Sequence, residues 1–145
     1  MVLIDTSVFI NYLKGVENES TIKFDNIISK KIPFGINNYI YQEILQGSAN
    51  EKEFKTLHAY LTKMPFYPLK NKKSYSNAAL LYFKCRKQGI TIRSTIDLLI
   101  AQTAIENNLF LLHNDNDFAN IAIDCLITIN QLERLKLRMA IKNKI

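Results

Sequence analysis

The feature that most constrains the fold is a junction near the start of the chain, where a short apolar run gives way to an acid and two hydroxyl residues. Val2 to Ile4 has the continuous apolar pattern of a strand that is buried on both faces. Asp5-Thr6-Ser7 follows, and apolar residues with helical spacing begin at Val8. Asp5 is therefore predicted to lie at the carboxyl end of a strand, where open parallel sheets bind their ligands.

Strand and helix patterns alternate along the rest of the chain, which predicts an α/β fold with a mainly parallel central sheet and helices on both faces. The predicted strands are residues 34–36, an edge segment at 66–69, a central strand at 109–112 and a last strand at 126–129. The predicted helices are residues 22–31, 39–46, 50–64, 72–88 and 98–105. We expect one domain over residues 1–145, with a basic C-terminal extension from about residue 130.

The net charge of +6 and the pI of about 9.3 favour a polyanionic partner, of which nucleic acid is the common one. The helix of residues 72–88 contributes several cations, which form either a stripe that faces RNA or a solvated helix face: Lys72, Lys73, Lys84, Arg86 and Lys87. Its apolar residues are predicted to face inward: Tyr75, Ala78, Ala79, Tyr82 and Phe83. With no secretory signal and no apolar run near the roughly 18 residues that span a membrane, we expect a cytoplasmic protein.

Four acids fall at the predicted strand ends or on the helices that follow them: Asp5, Glu43, Asp97 and Asp115, with Asp117 two residues further on. Since parallel strands share one carboxyl edge, these side chains are predicted to converge in one cleft. Clustered carboxylates raise one another's pKa and destabilise the fold unless a cation neutralises them. Oxygen ligands without a nearby His or Cys cluster suit Mg²⁺ or Mn²⁺, and such a cleft on a basic protein suits phosphodiester hydrolysis.

Each acid also has a structural interpretation. Asp5 and Asp115 each precede a helix and can serve as N-caps. Asp97 stands three residues after Ser94, which is the spacing of a capping box. Glu43 can be a solvated helix residue. Four separate explanations at four such positions are less economical than one shared site.

Four segments of the chain, in order and in spacing, resemble the PIN domain, and among PIN domains the VapC-type toxin ribonucleases of toxin–antitoxin pairs. They are residues 5–10, 42–47, 89–101 and 111–118. The resemblance implies a three-layer α/β/α fold, Mg²⁺- or Mn²⁺-dependent cleavage of RNA such as tRNA or rRNA, and neutralisation by a cognate antitoxin. It also implies a catalytic and metal-binding quartet of Asp5, Glu43, Asp97 and Asp115, with Asp117, Thr6 and Ser7 as accessory residues.

Arg93 is a candidate contact to RNA phosphate or to the antitoxin, and its alternative is a surface or capping role. Apolar residues on the helices of residues 22–31 and 50–64 suit a homodimer face and an antitoxin groove, or else ordinary core. Two functional alternatives stay open: a PIN nuclease of RNA processing that is not a toxin, and a catalytically inactive RNA-binding PIN module. A receiver domain fits poorly because the second predicted strand ends in Asn37-Asn38 rather than in an Asp, and no lysine stands at the end of either of the last two predicted strands.

Overall fold

The structure is a computed structural model and describes residues 1–114. Three parallel strands form a sheet in the order β2-β1-β3, and they are β1 (Val2–Ile4), β2 (Phe34–Gly35) and β3 (Phe110–Leu112). Six helices complete the described part: α1 (Thr6–Leu13), α2 (Glu19–Ser29), α3 (Asn38–Gln46), α4 (Glu51–Leu61), α5 (Lys72–Lys87) and α6 (Thr95–Glu106).

The central strand β1 is covered on both faces. All three of its side chains are buried, and successive side chains of a strand point to opposite faces of the sheet. Helices therefore cover both faces of the sheet, which confirms the predicted α/β/α architecture. On one side the core continues into α1 and α2, where the rings of Phe9 and Phe24 pack with centroids 5.3 Å apart.

Side-chain caps define where most of the described helices begin. In α1 to α5 the residue before the first helical residue accepts a hydrogen bond from a backbone N–H of the first turn, and these caps are Asp5, Asn18, Asn37, Asn50 and Asn71. Such caps satisfy donors that have no partner within the helix. The predicted starts of α3 and α4 agree with this pattern. Only Ser94, before α6, makes no such bond among these six positions.

One prediction about the sheet needs correction. The predicted segment 66–69 contributes only an isolated parallel bridge between Phe66 and Ile36. Among the described strands β1 lies between the other two and β3 pairs with it, and the predicted central position of β3 depends on the strand predicted at 126–129. The strand predicted at 126–129 and the C-terminal extension from residue 130 lie outside the described residues.

The inward face of α5 differs from the prediction. Ala78 is buried as expected, but its buried neighbours are Ser74, Leu81 and Cys85. Tyr75, Ala79 and Phe83 are exposed instead. Tyr82 is partly buried against the core, so the buried stripe of α5 is rotated from the predicted one and only part of the predicted face packs inward. No helix within residues 1–114 is long and apolar enough to cross a membrane.

Candidate metal centre

Asp5 lies where the ends of two parallel strands meet. The register pairs Ile4 of β1 with Leu112 of β3, and the backbone N–H of Asp5 donates to the carbonyl of Leu112 at 2.9 Å. On the other side of β1, Asn37 caps α3 two residues after β2 ends. The residues that follow all three strands therefore come to one edge of the sheet, as the parallel topology predicted.

The carboxylate of Asp5 is held in place by Ser7. The Ser7 hydroxyl donates to Asp5 Oδ2 at 2.5 Å, and the Ser7 backbone N–H donates to the same oxygen at 3.2 Å. Asp5 is thus an N-cap, and its residue is only 5% exposed. A carboxylate has about four acceptor positions, so a cap that uses one oxygen does not prevent the side chain from binding a cation.

A second carboxylate reaches the same place from α3. The Thr6 hydroxyl donates to Glu43 Oε2 at 2.5 Å, across 37 residues of sequence. Because Thr6 directly follows Asp5, this bond brings the Glu43 carboxylate to the residue next to Asp5. Glu43 is partly buried, so it is not merely a solvated helix residue.

Thr6 and Ser7 therefore have different partners, since one hydroxyl holds Glu43 and the other holds Asp5. The sequence resemblance offered both only as hydroxyls near a metal. The sequence did not predict that Thr6 would bond to Glu43 and Ser7 to Asp5, because nothing in the local sequence shows which helix packs above Thr6.

The other described acid of the quartet, Asp97, lies in the first turn of α6 and is partly buried. Ser94 makes no side-chain capping bond, so the capping-box interpretation lacks one of its two hydrogen bonds. Arg93 lies just before α6 and is exposed.

Helix α6 is joined to α3 by a hydrogen bond that sequence reasoning did not find. Asn37 Nδ2 donates to Thr103 Oγ1 at 3.0 Å, and both residues are buried. Asn37 is also the N-cap of α3, since its Oδ1 accepts from the backbone N–H of Ile40. One side chain thus fixes the start of the helix that carries Glu43 and ties it to the helix that carries Asp97.

A tyrosine pair joins α3 to α5. The Tyr39 hydroxyl donates to the Tyr75 hydroxyl at 3.3 Å. Burial, and then this hydrogen bond, raise the pKa of Tyr39 to about 12. Helix α3 is therefore held by polar contacts to α1, α5 and α6, which limits how far Glu43 can move.

Within residues 1–114, no three Asp, Glu, His or Cys side chains come close enough together to hold a metal ion. Of the predicted quartet, Asp5 and Glu43 are connected through Thr6, whereas Asp97 does not form a group of three acids with them within residues 1–114, contrary to the predicted convergence. Asp115 and Asp117 lie outside the described residues. Mg²⁺ commonly binds protein through one or two carboxylates and takes its remaining contacts from water and substrate phosphate. The donor set of two carboxylates beside two hydroxyls fits such an ion.

Similar curated proteins are ribonucleases by name. The VapC ribonuclease Mb1587 of Mycobacterium bovis and the ribonuclease VapC11 of Mycobacterium tuberculosis are each 29% identical to this chain over 123 residues. Each alignment covers 84% of this chain and 92% of the relative.

Solved structures share the fold. VapBC2 from Rickettsia felis, bound to a DNA fragment from its promoter, gives a TM-score of 0.65 at 20% identity and covers 83% of this chain and 93% of that chain. VapBC-1 from nontypeable Haemophilus influenzae gives 0.64 at 22% identity, with 83% and 92% covered. The sequence model of the PIN domain matches residues 2–124. The chain therefore belongs to the PIN domain family.

Proposed function

We propose that this protein is a Mg²⁺- or Mn²⁺-dependent endoribonuclease that acts as the toxin of a toxin–antitoxin pair. The observation that carries the proposal is the hydrogen bond from Thr6 to Glu43, which joins an acid of α3 to the residue that directly follows Asp5. Membership of the PIN family and the names of the ribonuclease relatives support it.

The residues of the site then have separate roles. Asp5, Asp97 and Asp115 are the ligands of one or two ions, with Asp117 as an accessory acid. Glu43 completes this set or orients the attacking water, and Thr6 keeps its carboxylate in that orientation. A bound ion lowers the pKa of a water and offsets charge on the phosphate. Arg93, exposed just before α6, contacts the RNA phosphate or the antitoxin.

Large apolar side chains on α2 and α4 support the proposed protein partners, a cognate antitoxin and a second copy of the chain. Ile22 and Ile28 of α2 and Phe54 and Tyr60 of α4 are exposed, so these faces are not filled by the described core. Such residues suit an interface. The solved relatives named VapBC indicate that related chains have been crystallised as complexes. We place the protein in the cytoplasm, where tRNA and rRNA are available as substrates.

A cleavage assay tests the activity. Purified protein is incubated with total tRNA and with rRNA, with and without Mg²⁺, beside Asp5→Asn and a control, Asp25→Asn. Asp25 is an exposed acid of α2 outside the site. We expect Mg²⁺-dependent cleavage that Asp5→Asn lowers by at least about 100-fold, equivalent to about 2.7 kcal/mol of lost transition-state stabilisation. Full activity of Asp5→Asn, or equal cleavage in EDTA, would rule out the proposed site.

An expression experiment tests the role as a toxin. We expect growth arrest when the chain is expressed, relieved by co-expression of a small neighbouring open reading frame and absent for Asp5→Asn. Cleavage of RNA without growth arrest would instead indicate a nuclease of RNA processing. A complete lack of metal binding would indicate an inactive RNA-binding module.

A further inference from the structure

The positive charge of this chain is concentrated in one segment. Residues 54–96 contain nine Lys and Arg residues and no Asp or Glu. The remaining residues contain ten Lys and Arg and thirteen Asp and Glu, so outside this segment acids outnumber basic residues. The whole of helix α5 falls within it. A single-sign block of this size creates a local field that attracts a polyanion.

The last turns of α5 combine cations with an exposed ring, Phe83, and a partly buried one, Tyr82. The guanidinium of Arg86 lies 5.9 Å from the centre of the Tyr82 ring, and the ammonium of Lys87 lies 5.6 Å from the centre of the Phe83 ring. Phe83 is 46% exposed, although the sequence pattern predicted it to be inside. Arg86 and Lys87 are exposed and form no ion pair with any residue in the described range.

This end of α5 lies beside the start of α6, which carries Asp97. Seven residues join the two helices, which pack against each other. A cavity of about 390 Å³ between the two helices is lined by Tyr75, Ala78, Ala79 and Tyr82 of α5 and by Thr95, Leu98 and Leu99 of α6. The first turn of α5, with Lys72 and Lys73, lies about 20 Å away along the helix at 1.5 Å per residue.

We propose that the outer face of the last two turns of α5 binds single-stranded RNA and leads it to the catalytic site. The inference rests on the proposed function. Arg86 and Lys87 contact the phosphates, and Phe83 stacks on an unpaired base. An exposed ring beside cations suits a single strand, because an unpaired base has a free face that can stack on the ring. The charge of the segment matches RNA.

Two double variants with the same change in charge on the same helix test the surface. Arg86→Gln/Lys87→Gln removes two charges near Asp97, and Lys72→Gln/Lys73→Gln removes two at the far end. Binding of a labelled 20-nucleotide single-stranded RNA is measured by fluorescence anisotropy in EDTA over a series of salt concentrations. For two lost phosphate contacts, the slope of log K against log salt should become smaller by about 1.4, and affinity at low salt should fall by about tenfold or more. The control removes two charges from the same basic segment but none from the proposed surface, so it should change the slope by less than about 0.5 and the affinity by less than about threefold.

A third variant, Phe83→Leu, tests stacking separately from charge. We expect it to lower affinity for single-stranded RNA by about fivefold or more and to leave affinity for a fully paired RNA duplex unchanged. Equal effects of the two double variants would overturn the proposed surface. So would an absence of RNA binding by the unmodified chain, or an unchanged affinity of Phe83→Leu.

Cleavage kinetics separate this inference from the proposed function. With an active enzyme, Arg86→Gln/Lys87→Gln should raise KM by about tenfold and leave kcat within about twofold. RNA binding through this surface without cleavage would refute the proposed nuclease activity and support the proposed RNA-binding surface. Cleavage with the same KM in both double variants would refute the proposed surface and support the nuclease activity.

Discussion

Thr103→Val removes a single hydroxyl from the buried contact between α3 and α6. Thr103 is 0% exposed and Asn37 is 1% exposed, so no water replaces the lost hydroxyl directly. Valine has the same shape as threonine, which leaves Asn37 Nδ2 buried without its acceptor. An unsatisfied buried donor destabilises the folded state by about 1–3 kcal/mol. For a chain of this length, this corresponds to a decrease in Tm of roughly 3–9 °C.

The same substitution should weaken metal binding. The lost hydrogen bond joins the helix of Glu43 to the helix of Asp97, so we expect Mn²⁺ affinity to fall by about 10-fold, in the range of contacts that orient ligands. Thermal unfolding and a Mn²⁺ titration below the transition measure the two effects separately. Thr103→Ser keeps the hydroxyl and loses a methyl group, so it should lose about 1 kcal/mol of stability with near-normal affinity.

A matched control is Thr56→Val on α4, where the exposed hydroxyl donates to the carbonyl of Lys52 in its own helix. It should change stability by less than about 0.5 kcal/mol and leave metal affinity unchanged. Equal loss of Mn²⁺ affinity in Thr103→Val and Thr103→Ser would show that the hydroxyl does not position the helices. Wild-type stability of Thr103→Val would refute the reasoning from burial.

Three further predictions follow from other contacts. Thr6→Val removes the hydrogen bond to the Glu43 carboxylate and should lower Mn²⁺ affinity and RNA cleavage by about 10- to 100-fold. Unchanged Mn²⁺ affinity and an unchanged cleavage rate would refute the claim that Thr6 orients Glu43. Gly35→Ala should destabilise the chain by roughly 2 kcal/mol or more in urea unfolding, because the new Cβ would lie 2.3 Å from a backbone oxygen. The control Gly47→Ala should be neutral or stabilising, because its new Cβ would meet no atom nearer than 3.5 Å. The pKa of Tyr39 is about 12 in the folded chain against 10.0 in the unfolded one, so the unfolded state loses its proton first and stability falls as pH rises from 10 towards 12. Urea unfolding at several pH values should show a smaller alkaline loss for Tyr39→Phe, and an identical loss would contradict the assignment.

Local features of the sequence predicted the parts of the fold that depend on local physics. The apolar run before Asp5 predicted β1, and the starts predicted for α3 and α4, at residues 39 and 50, lie within one residue of the observed starts, because a cap acts within one turn of its own helix. The position of Asp5 at the strand ends followed from the parallel topology.

Contacts between distant segments were not predictable in the same way. The bond from Thr6 to Glu43 spans 37 residues and the bond from Asn37 to Thr103 spans 66. Each depends on how helices pack, which no local pattern specifies. The exposure of Phe83 has the same origin, since the sequence of α5 does not specify how the helix is rotated against the core. The predicted roles of Asp115 and Asp117 fall outside the described residues and stay predictions.

Calorimetric titration of Mn²⁺ into the purified chain, beside Asp5→Asn and the control Asp25→Asn, measures most directly whether the acids form a cation site. We expect saturable binding that Asp5→Asn weakens by at least about tenfold and Asp25→Asn leaves unchanged, because only the first substitution removes a ligand charge from the strand ends. Undetectable binding to the unmodified chain, or equal affinity in all three proteins, would contradict a metal centre built on Asp5.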